Sequence, residues 1–405
     1  MTTPHWVSKD LIQTALRSYF GNQELAVMGY SSSAAVPVGD NYTSDIFRTV
    51  VTFQTDTSGN RGTISMIMKC SPVEKKEMLE LTRQEQYFAK EIEVYKTTLP
   101  AIYDTLGEYF TLSAKFIYYT EKPHTLLMFE DLGKLGFQMH NRQTGFDLNH
   151  CLLVAEKIAC LHAASLVLHE KHPGLYKAFD RGIFSKNEMI TVWITRAFES
   201  LIKACSTWPG YEKYSKKLQA ILDRVVDRAI WCSSPKLGSF KVLNHGDAWV
   251  NNFLFSYDSE GKLKDCKFVD YQLVIFSSPA IDLHYFWTTS PKMEVRREHL
   301  DTILDRYYSK LLYTLASLNY SLERIPTKKQ FLKDWKSRSF YGLLAAAAIL
   351  PLVKASSRND ASFEDLMADD SEDSFRYHAY NNERYRKHME YLLPFFDDLG
   401  ALDYF

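Results

Sequence analysis

Val242-Leu243-Asn244-His245-Gly246-Asp247-Ala248-Trp249-Val250-Asn251-Asn252-Phe253-Leu254-Phe255 sets a histidine, a carboxylate and carboxamides between two short apolar strands. Polar groups held among apolar neighbours need partners or a chemical task. Downstream, Phe253 to Tyr257 and Asp265 to Val269 read as paired strands around the turn Asp258-Ser259-Glu260-Gly261. With Gly261 at the midpoint, that register sets Asn252 opposite Asp270. An amide oxygen beside a carboxylate supplies hard oxygen ligands suited to magnesium, which takes one or two protein groups plus phosphate oxygens. Asp247 then lies within reach of the same point. It could accept the proton of a hydroxyl attacking a terminal phosphate, or chiefly orient that hydroxyl.

Working outward, the stretch from about 25 to 135 is strand-rich. Asp45 to Gln54 alternates, with Phe47, Thr49, Val51 and Phe53 on one face. The turn chemistry of residues 57–62 follows, and then a strand from Thr63 to Lys69. Next comes a helical stripe of Phe88, Ile92, Tyr95 and Leu99 that also carries Glu91. A carboxylate on a buried stripe is costly unless a cation meets it, and Lys69 ends the strand just before. A second hairpin, Leu112 to Tyr119 and Thr125 to Phe129, runs into Glu130-Asp131-Leu132-Gly133, which reads as a linker.

Beyond residue 145 the pattern turns helical over Asp147 to Val167 and roughly 187–206, 212–232, 293–318, 327–354 and 378–393. The acidic stretch Glu364 to Asp373 reads as a solvated loop. At the N-terminus, Leu11, Ile12, Ala15, Leu16, Tyr19 and Phe20 recur at helical spacing, with Ser8 placed as the cap and Gly21 as the stop.

His245-Gly246-Asp247, then Asn252 and Asp270, resembles the His-Gly-Asp-x(4)-Asn and downstream aspartate pattern of aminoglycoside and choline kinases. The fuller form, His-Gly-Asp-x-Trp-x-Asn-Asn over His245 to Asn252, is similar more specifically to the insect ecdysteroid kinase-like family. Gly39 to Ser44, Lys69, Phe88-x-x-Glu91-x-x-x-Tyr95, Glu130-Asp131-Leu132 and Leu161 to Ser165 agree with it. The likeness spans roughly residues 30 to 300.

That resemblance implies an α+β, bilobal protein-kinase-like fold, with an antiparallel-sheet N-lobe over 1–132 and a mainly helical C-lobe over 133–405. It implies ATP as phosphoryl donor, magnesium as cofactor and a small-molecule alcohol as acceptor. Asp247 becomes the catalytic aspartate, Asn252 and Asp270 hold metal, Lys69 contacts the nucleotide phosphates and Glu91 pairs with Lys69. No G-x-G-x-x-G precedes Lys69. Instead Asn41, Tyr42, Thr43 and Ser44 offer amides and hydroxyls that could cover phosphates, although by composition alone the stretch is an ordinary turn. Phe129, Glu130 and Leu132 would bring backbone groups to the adenine.

His245 reads as a support of the loop, since the adjacent carboxylate fills the role of base. Asp282, at the start of a predicted helix, is placed to brace the loop. Trp249 either faces the acceptor pocket or packs in the core, and His162 and Ser165 read as packing residues on an apolar helix. The acceptor follows by analogy with the family: an ecdysteroid or another sterol-like alcohol, with xenobiotic alcohols and choline-like or aminoglycoside-like molecules as alternatives. A kinase-fold ligand binder without turnover is the reading from a different class. The helical second half lacks the activation-loop and A-P-E pattern of protein kinases.

Composition bounds these readings. The chain has 405 residues, 46% hydrophobic and 24% charged, with a formal net charge of −1. Two lobes fit that length, and near-neutrality gives no footprint for nucleic acid. The N-terminal stretch lacks the basic and continuous apolar segments of a secretory signal. The longest apolar run, Tyr341 to Val353, is shorter than the roughly 20 residues a membrane span needs and contains Pro351. Six cysteines scattered without C-x-x-C spacing fit packing roles in a reduced, cytoplasmic setting with no membrane insertion. Oligomeric state has no signature.

Overall fold

The computed structural model describes residues 4–36, 43–56, 59–107, 110–235, 240–358, 360–368 and 370–404. Helix α1 (Lys9–Phe20) starts on Ser8, whose side chain accepts the Leu11 N–H, and stops at Gly21 in the left-handed region at φ 62°. Strands β1 (Ala26–Ala34), β2 (Asp45–Gln54) and β3 (Arg61–Cys70) follow, then α2 (Lys76–Gln84), α3 (Tyr87–Glu93) and α4 (Leu99–Leu106), and strands β4 (Phe116–Thr120) and β5 (Leu126–Glu130). The five strands form one antiparallel sheet in the order β1-β2-β3-β5-β4.

Side chains alternate across a strand, so the two faces of β3 do different things. Met66 and Met68 join Phe47, Val51, Leu126 and Met128 in the core under α1. Ile67 and Lys69 point the other way, into the cleft. Because Lys69 pairs with Ile46 on one side and Leu127 on the other, it sits mid-sheet rather than on an edge.

The remaining chain is mostly helical, as the α+β kinase-like arrangement requires. β6 (Gln138–Met139) leads to α5 (Leu148–Lys171), α6 (Glu188–Thr207), α7 (Glu212–Ile221) and α8 (Val225–Ser233). Short strands β7 (Val242–Asn244), β8 (Phe253–Tyr257), β9 (Leu263–Phe268) and β10 (Ile275–Ser277) interrupt. Helices α9 (Ala280–Thr289), α10 (Met293–Glu298), α11 (Leu300–Ser317), α12 (Lys328–Ser337), α13 (Ser339–Ala348), α14 (Leu350–Lys354), α15 (Phe363–Met367), α16 (Phe375–Tyr380) and α17 (Glu383–Asp398) complete it. α5 is long and apolar enough to cross a membrane, but 78% of its apolar window is buried inside the protein, packed along α11. It is the central beam of this half. All six cysteines are buried and none is in a disulfide.

Two expectations need correction. The acidic stretch after 363 is not wholly a loop: Ser362 accepts the Asp365 N–H and starts α15, which holds Glu364 and Asp365, while Asp370 pairs with Lys203 at 2.7 Å. The β8–β9 register is also one residue off. Phe253 pairs with Phe268, and Asn252 O accepts from Val269 N. The Asp258 N–H closes the turn onto Lys262 O, and the register shifts between Ser256 and Tyr257, so Lys264 is the extra residue. Asp270 therefore lies beyond the ladder, not in it. It returns toward the cleft with a left-handed φ of 69°, uncommon for a residue with a side chain.

Candidate active site

The loop between β7 and β8 crosses the floor of the cleft, and α9 holds it there. Asp282, fully buried in the first turn of α9, accepts the N–H groups of His245 (2.7 Å) and Gly246 (2.8 Å). The oxygen that accepts from His245, Oδ2, also meets His162 Nε2 at 3.1 Å, and His162 Nδ1 meets the Tyr307 hydroxyl at 2.8 Å. Ser165 Oγ accepts the Leu243 N–H. His162 and Ser165 thus do more than fill space on α5, since they hang the loop from the central helix.

Gly246 has φ 81°, and a Cβ there would stand 1.9 Å from Leu273 O, so no other residue fits. Burial lowers the pKa of His245. In the neutral ring Nε2 donates to Val269 O at 3.0 Å while Nδ1 accepts the Asp247 N–H. Loop and β9 exit are thereby tied together, one carrying Asp247 and the other Asp270.

Asp247 is held at both oxygens. Tyr285 donates its hydroxyl to Oδ1 at 2.6 Å, and Asn252 donates Nδ2–H to Oδ2 at 2.9 Å. Asn252 also donates to the Asp247 carbonyl. Both amide hydrogens are spent on Asp247, so the carbonyl oxygen of Asn252 is the atom left for a cation. Burial, and secondarily the charge of Asp270, push the Asp247 carboxyl up to about 7. Tyr285 was missed from sequence, yet it had a signal: it lies three residues after Asp282 on α9, hence on the same face.

Lys69 Nζ bonds Glu91 at 2.6 Å and Asp270 at 2.7 Å, with Gln272 at 3.4 Å. Burial by itself would lower the lysine pKa, but the two carboxylates outweigh it and raise the value. Burial also raises Glu91 above the ordinary carboxylate range, against the pull of Lys69. Gln272 exchanges hydrogen bonds with Thr43 at 2.8 and 3.2 Å, joining the first half of the chain to the segment after Asp270. Thr43 lines the cleft and Ser44 is buried. Asn41 and Tyr42, with Gly39 and Asp40, lie outside the described residues.

At the back of the cleft, Phe129, Glu130 and Leu132 all line the cavity. Asp131 locks this strand exit: it accepts Arg48 Nε at 2.9 Å, Ser65 Oγ at 2.7 Å and the Gly133 N–H. Lys69, Asp247, Trp249, Asn252 and Asp270 open onto the same cavity of about 390 Å³. From the later helices and their connections its wall takes Ile183, Ile190, Trp193, Ile349, Leu352 and Phe363, all uncharged. The acidic stretch after 363 contributes nothing to it among the described residues.

Among the described residues no three His, Cys, Asp or Glu side chains group closely enough to hold a metal unaided. Asn252 and Asp270 both line the cavity and offer hard oxygens of the kind magnesium combines with phosphate oxygens, so the residues fit that ion. Lys69 beside them is a point charge suited to phosphate.

The ecdysteroid kinase-like family model matches residues 38–320, well over half of the 405. No curated protein matches the chain.

Proposed function

The chain belongs to the ecdysteroid kinase-like family, a family of kinase-like phosphotransferases acting on small molecules, and from that premise we propose that it transfers the γ-phosphoryl group of ATP to a hydroxyl of an uncharged apolar molecule, an ecdysteroid or related sterol-like alcohol. One observation carries the reading. A single cavity joins the Lys69, Asp247, Asn252 and Asp270 cluster to a wall of six apolar side chains. Residues 1–132 cover the nucleotide, and 133–405 carry the loop and the acceptor wall.

In the proposed step the acceptor oxygen forms a bond to the γ-phosphorus, the bond to the β,γ-bridging oxygen breaks, ADP leaves, and Asp247 takes the hydroxyl proton. Lys69 binds phosphate oxygens, kept charged and in place by Glu91. Thr43 and Gln272 position the covering segment. Phe129, Glu130 and Leu132 border the adenine, and Trp249 borders the acceptor. His245 and Asp282 hold the loop. Magnesium, when bound by Asn252 and Asp270, supplies charge neutralisation on the phosphates. Six buried cysteines without a disulfide suit a reducing, cytoplasmic compartment.

Tyr285 is a positioning residue for Asp247. Tyr285→Phe is expected to lower kcat about tenfold, the worth of one hydrogen bond to a charged group, with the acceptor KM unchanged. Steady-state kinetics check this; a rise in KM at constant kcat would move Tyr285 to acceptor binding.

A second reading rests on the aromatic part of the wall: Trp193, Trp249 and Phe363 could receive a quaternary ammonium on their faces. The test is to incubate the protein with magnesium-ATP and a panel of ecdysteroids, sterols, phenolic alcohols, choline and aminoglycosides, reading products by mass spectrometry. Addition of one phosphoryl group to the neutral polycyclic alcohols, lost in Asp247→Asn, is the expected outcome. Transfer confined to choline or aminoglycosides refutes the apolar acceptor. Ligand binding without transfer to any of them makes the protein a non-catalytic binder.

A further inference from the structure

Helices α2 and α3 meet at Glu85 and Gln86, and Gln86 holds a left-handed φ of 58°, a conformation that glycine favours. Such strain persists where the surroundings over-determine it. Here the surroundings come from the second half of the chain. Ser185 Oγ donates to Glu85 Oε1 at 3.0 Å, Lys90 Nζ donates to the Arg181 carbonyl at 2.9 Å, and Asn187 Nδ2 donates to Gln84 Oε1 at 2.6 Å. Glu85 and Lys90 are only 4% and 2% exposed, yet neither lines the cavity. Burying a charge is costly unless it is well paired. Lys90 gives its donor to a backbone carbonyl, and burial lowers its pKa to about 8, while Glu85 Oε2 has no hydrogen-bond partner among the described residues and lies 3.8 Å from Arg181 Nε. Packing alone would favour apolar side chains at both places.

What stands at the two ends of these contacts accounts for the cost. On one side, Lys90 adjoins Glu91, which bonds Lys69 at 2.6 Å. On the other, Ile183 lies between Arg181 and Ser185 and lines the apolar wall, as does Ile190, in the first turn of α6, whose N–H Asn187 accepts. We propose that the wall segment from Arg181 to Asn187 anchors α3, with Glu85 and Lys90 as positioning residues that hold Glu91 against Lys69. The anchor joins residues 91 to 103 apart in sequence, so the acceptor wall sets the phosphate clamp across the cleft. This deepens, and rests on, the reading of Lys69 as the phosphate-binding residue. Nucleotide affinity then depends on side chains that lie outside the cavity.

The test measures, by calorimetry, binding of the magnesium complex of the non-hydrolysable ATP analogue AMP-PCP, so no acceptor is needed. Lys90→Met keeps the apolar stem of the side chain and removes the donor. It is expected to weaken the analogue about tenfold, the worth of a hydrogen bond made by a charged group. In the Glu91→Gln background, where the clamp is already impaired, the same substitution is expected to leave affinity nearly unchanged. A merely structural role predicts a lower melting temperature in both backgrounds and no such dependence on Glu91. Should Lys90→Met fail to fold, Ser185→Ala removes the other limb with little change of volume, and a severalfold loss that again requires Glu91 is expected.

Wild-type affinity in both Lys90→Met and Ser185→Ala overturns the inference and leaves the kinase reading standing, and so does a loss of equal size with and without Glu91. Failure of the wild type to bind the analogue refutes the kinase reading itself, and the inference falls with it.

Discussion

Asp270→Asn is expected to lower turnover roughly a thousandfold, the several kcal/mol that a metal clamp contributes to phosphoryl transfer. The substitution removes one charge and almost no volume. Asparagine retains an oxygen that can accept from Lys69, and Glu91 remains to pair with that lysine, so the fold is expected to persist in circular dichroism and thermal melting. What is lost is a negative hard-oxygen ligand at the one point where the chain leaves the β9 ladder in a left-handed turn. Raising magnesium should recover part of the rate, because the deficit is in metal affinity. Turnover near the wild-type value would remove Asp270 from the metal site, and a rate deficit indifferent to magnesium would make its contribution a matter of placing Lys69.

Asp247→Asn is expected to reduce kcat by about a hundred- to ten-thousandfold, the range for a group that takes a proton in the transition state. ATP affinity, followed by calorimetry, should change little. The substitution is less innocent than its size suggests. Two donors, the Tyr285 hydroxyl and the Asn252 amide, point at the two oxygens of Asp247. An amide in that place offers one acceptor where two are needed, so either Tyr285 or Asn252 must turn away. If Asn252 turns, the metal site is disturbed together with the base. The double variant Asp247→Asn, Tyr285→Phe removes the surplus donor and separates these effects: recovery of magnesium dependence in the double variant assigns the remaining loss to proton transfer. Loss of nucleotide affinity as the main consequence of Asp247→Asn would reassign the residue to ATP binding.

Much of the fold could be read beforehand where one local rule dominates. Phe47, Thr49, Val51 and Phe53 alternate because one face of β2 is buried, and the structure buries all four. Ser8 and Gly21 bound α1 because capping chemistry is local. Tertiary packing decided the rest. The run 293–318 breaks at His299 and 327–354 breaks at Arg338 and Ile349. Arg338, with no exposed surface, donates to the carbonyls of Cys232 and Ser234 at the C-terminal end of α8, a contact invisible in periodicity.

The site divides in the same way. The residues of the His245 to Asn252 loop were legible from spacing, whereas the facing of Asn252 and Asp270 was not, since the turn closes between Asp258 and Lys262, centred on Glu260 rather than Gly261, and the bulge at Lys264 makes up only part of that offset. Gln272 belongs to the site through its contact with Thr43 across the cleft, which no motif announces, whereas Tyr285 is signalled only by its three-residue spacing from Asp282.

The six buried thiols have a consequence of a different kind. All six are closed to solvent, and burial raises the pKa of Cys70, Cys151, Cys160, Cys205 (to about 12) and Cys266, so at neutral pH the folded chain gives alkylating reagents no access to any of them and no thiolate at those five. They are spread from Cys70 on the sheet, through Cys151 and Cys160 on α5, to Cys266 on β9. A labelling reagent therefore records the opening of each layer separately, and the molecule carries six built-in clocks of its own local unfolding.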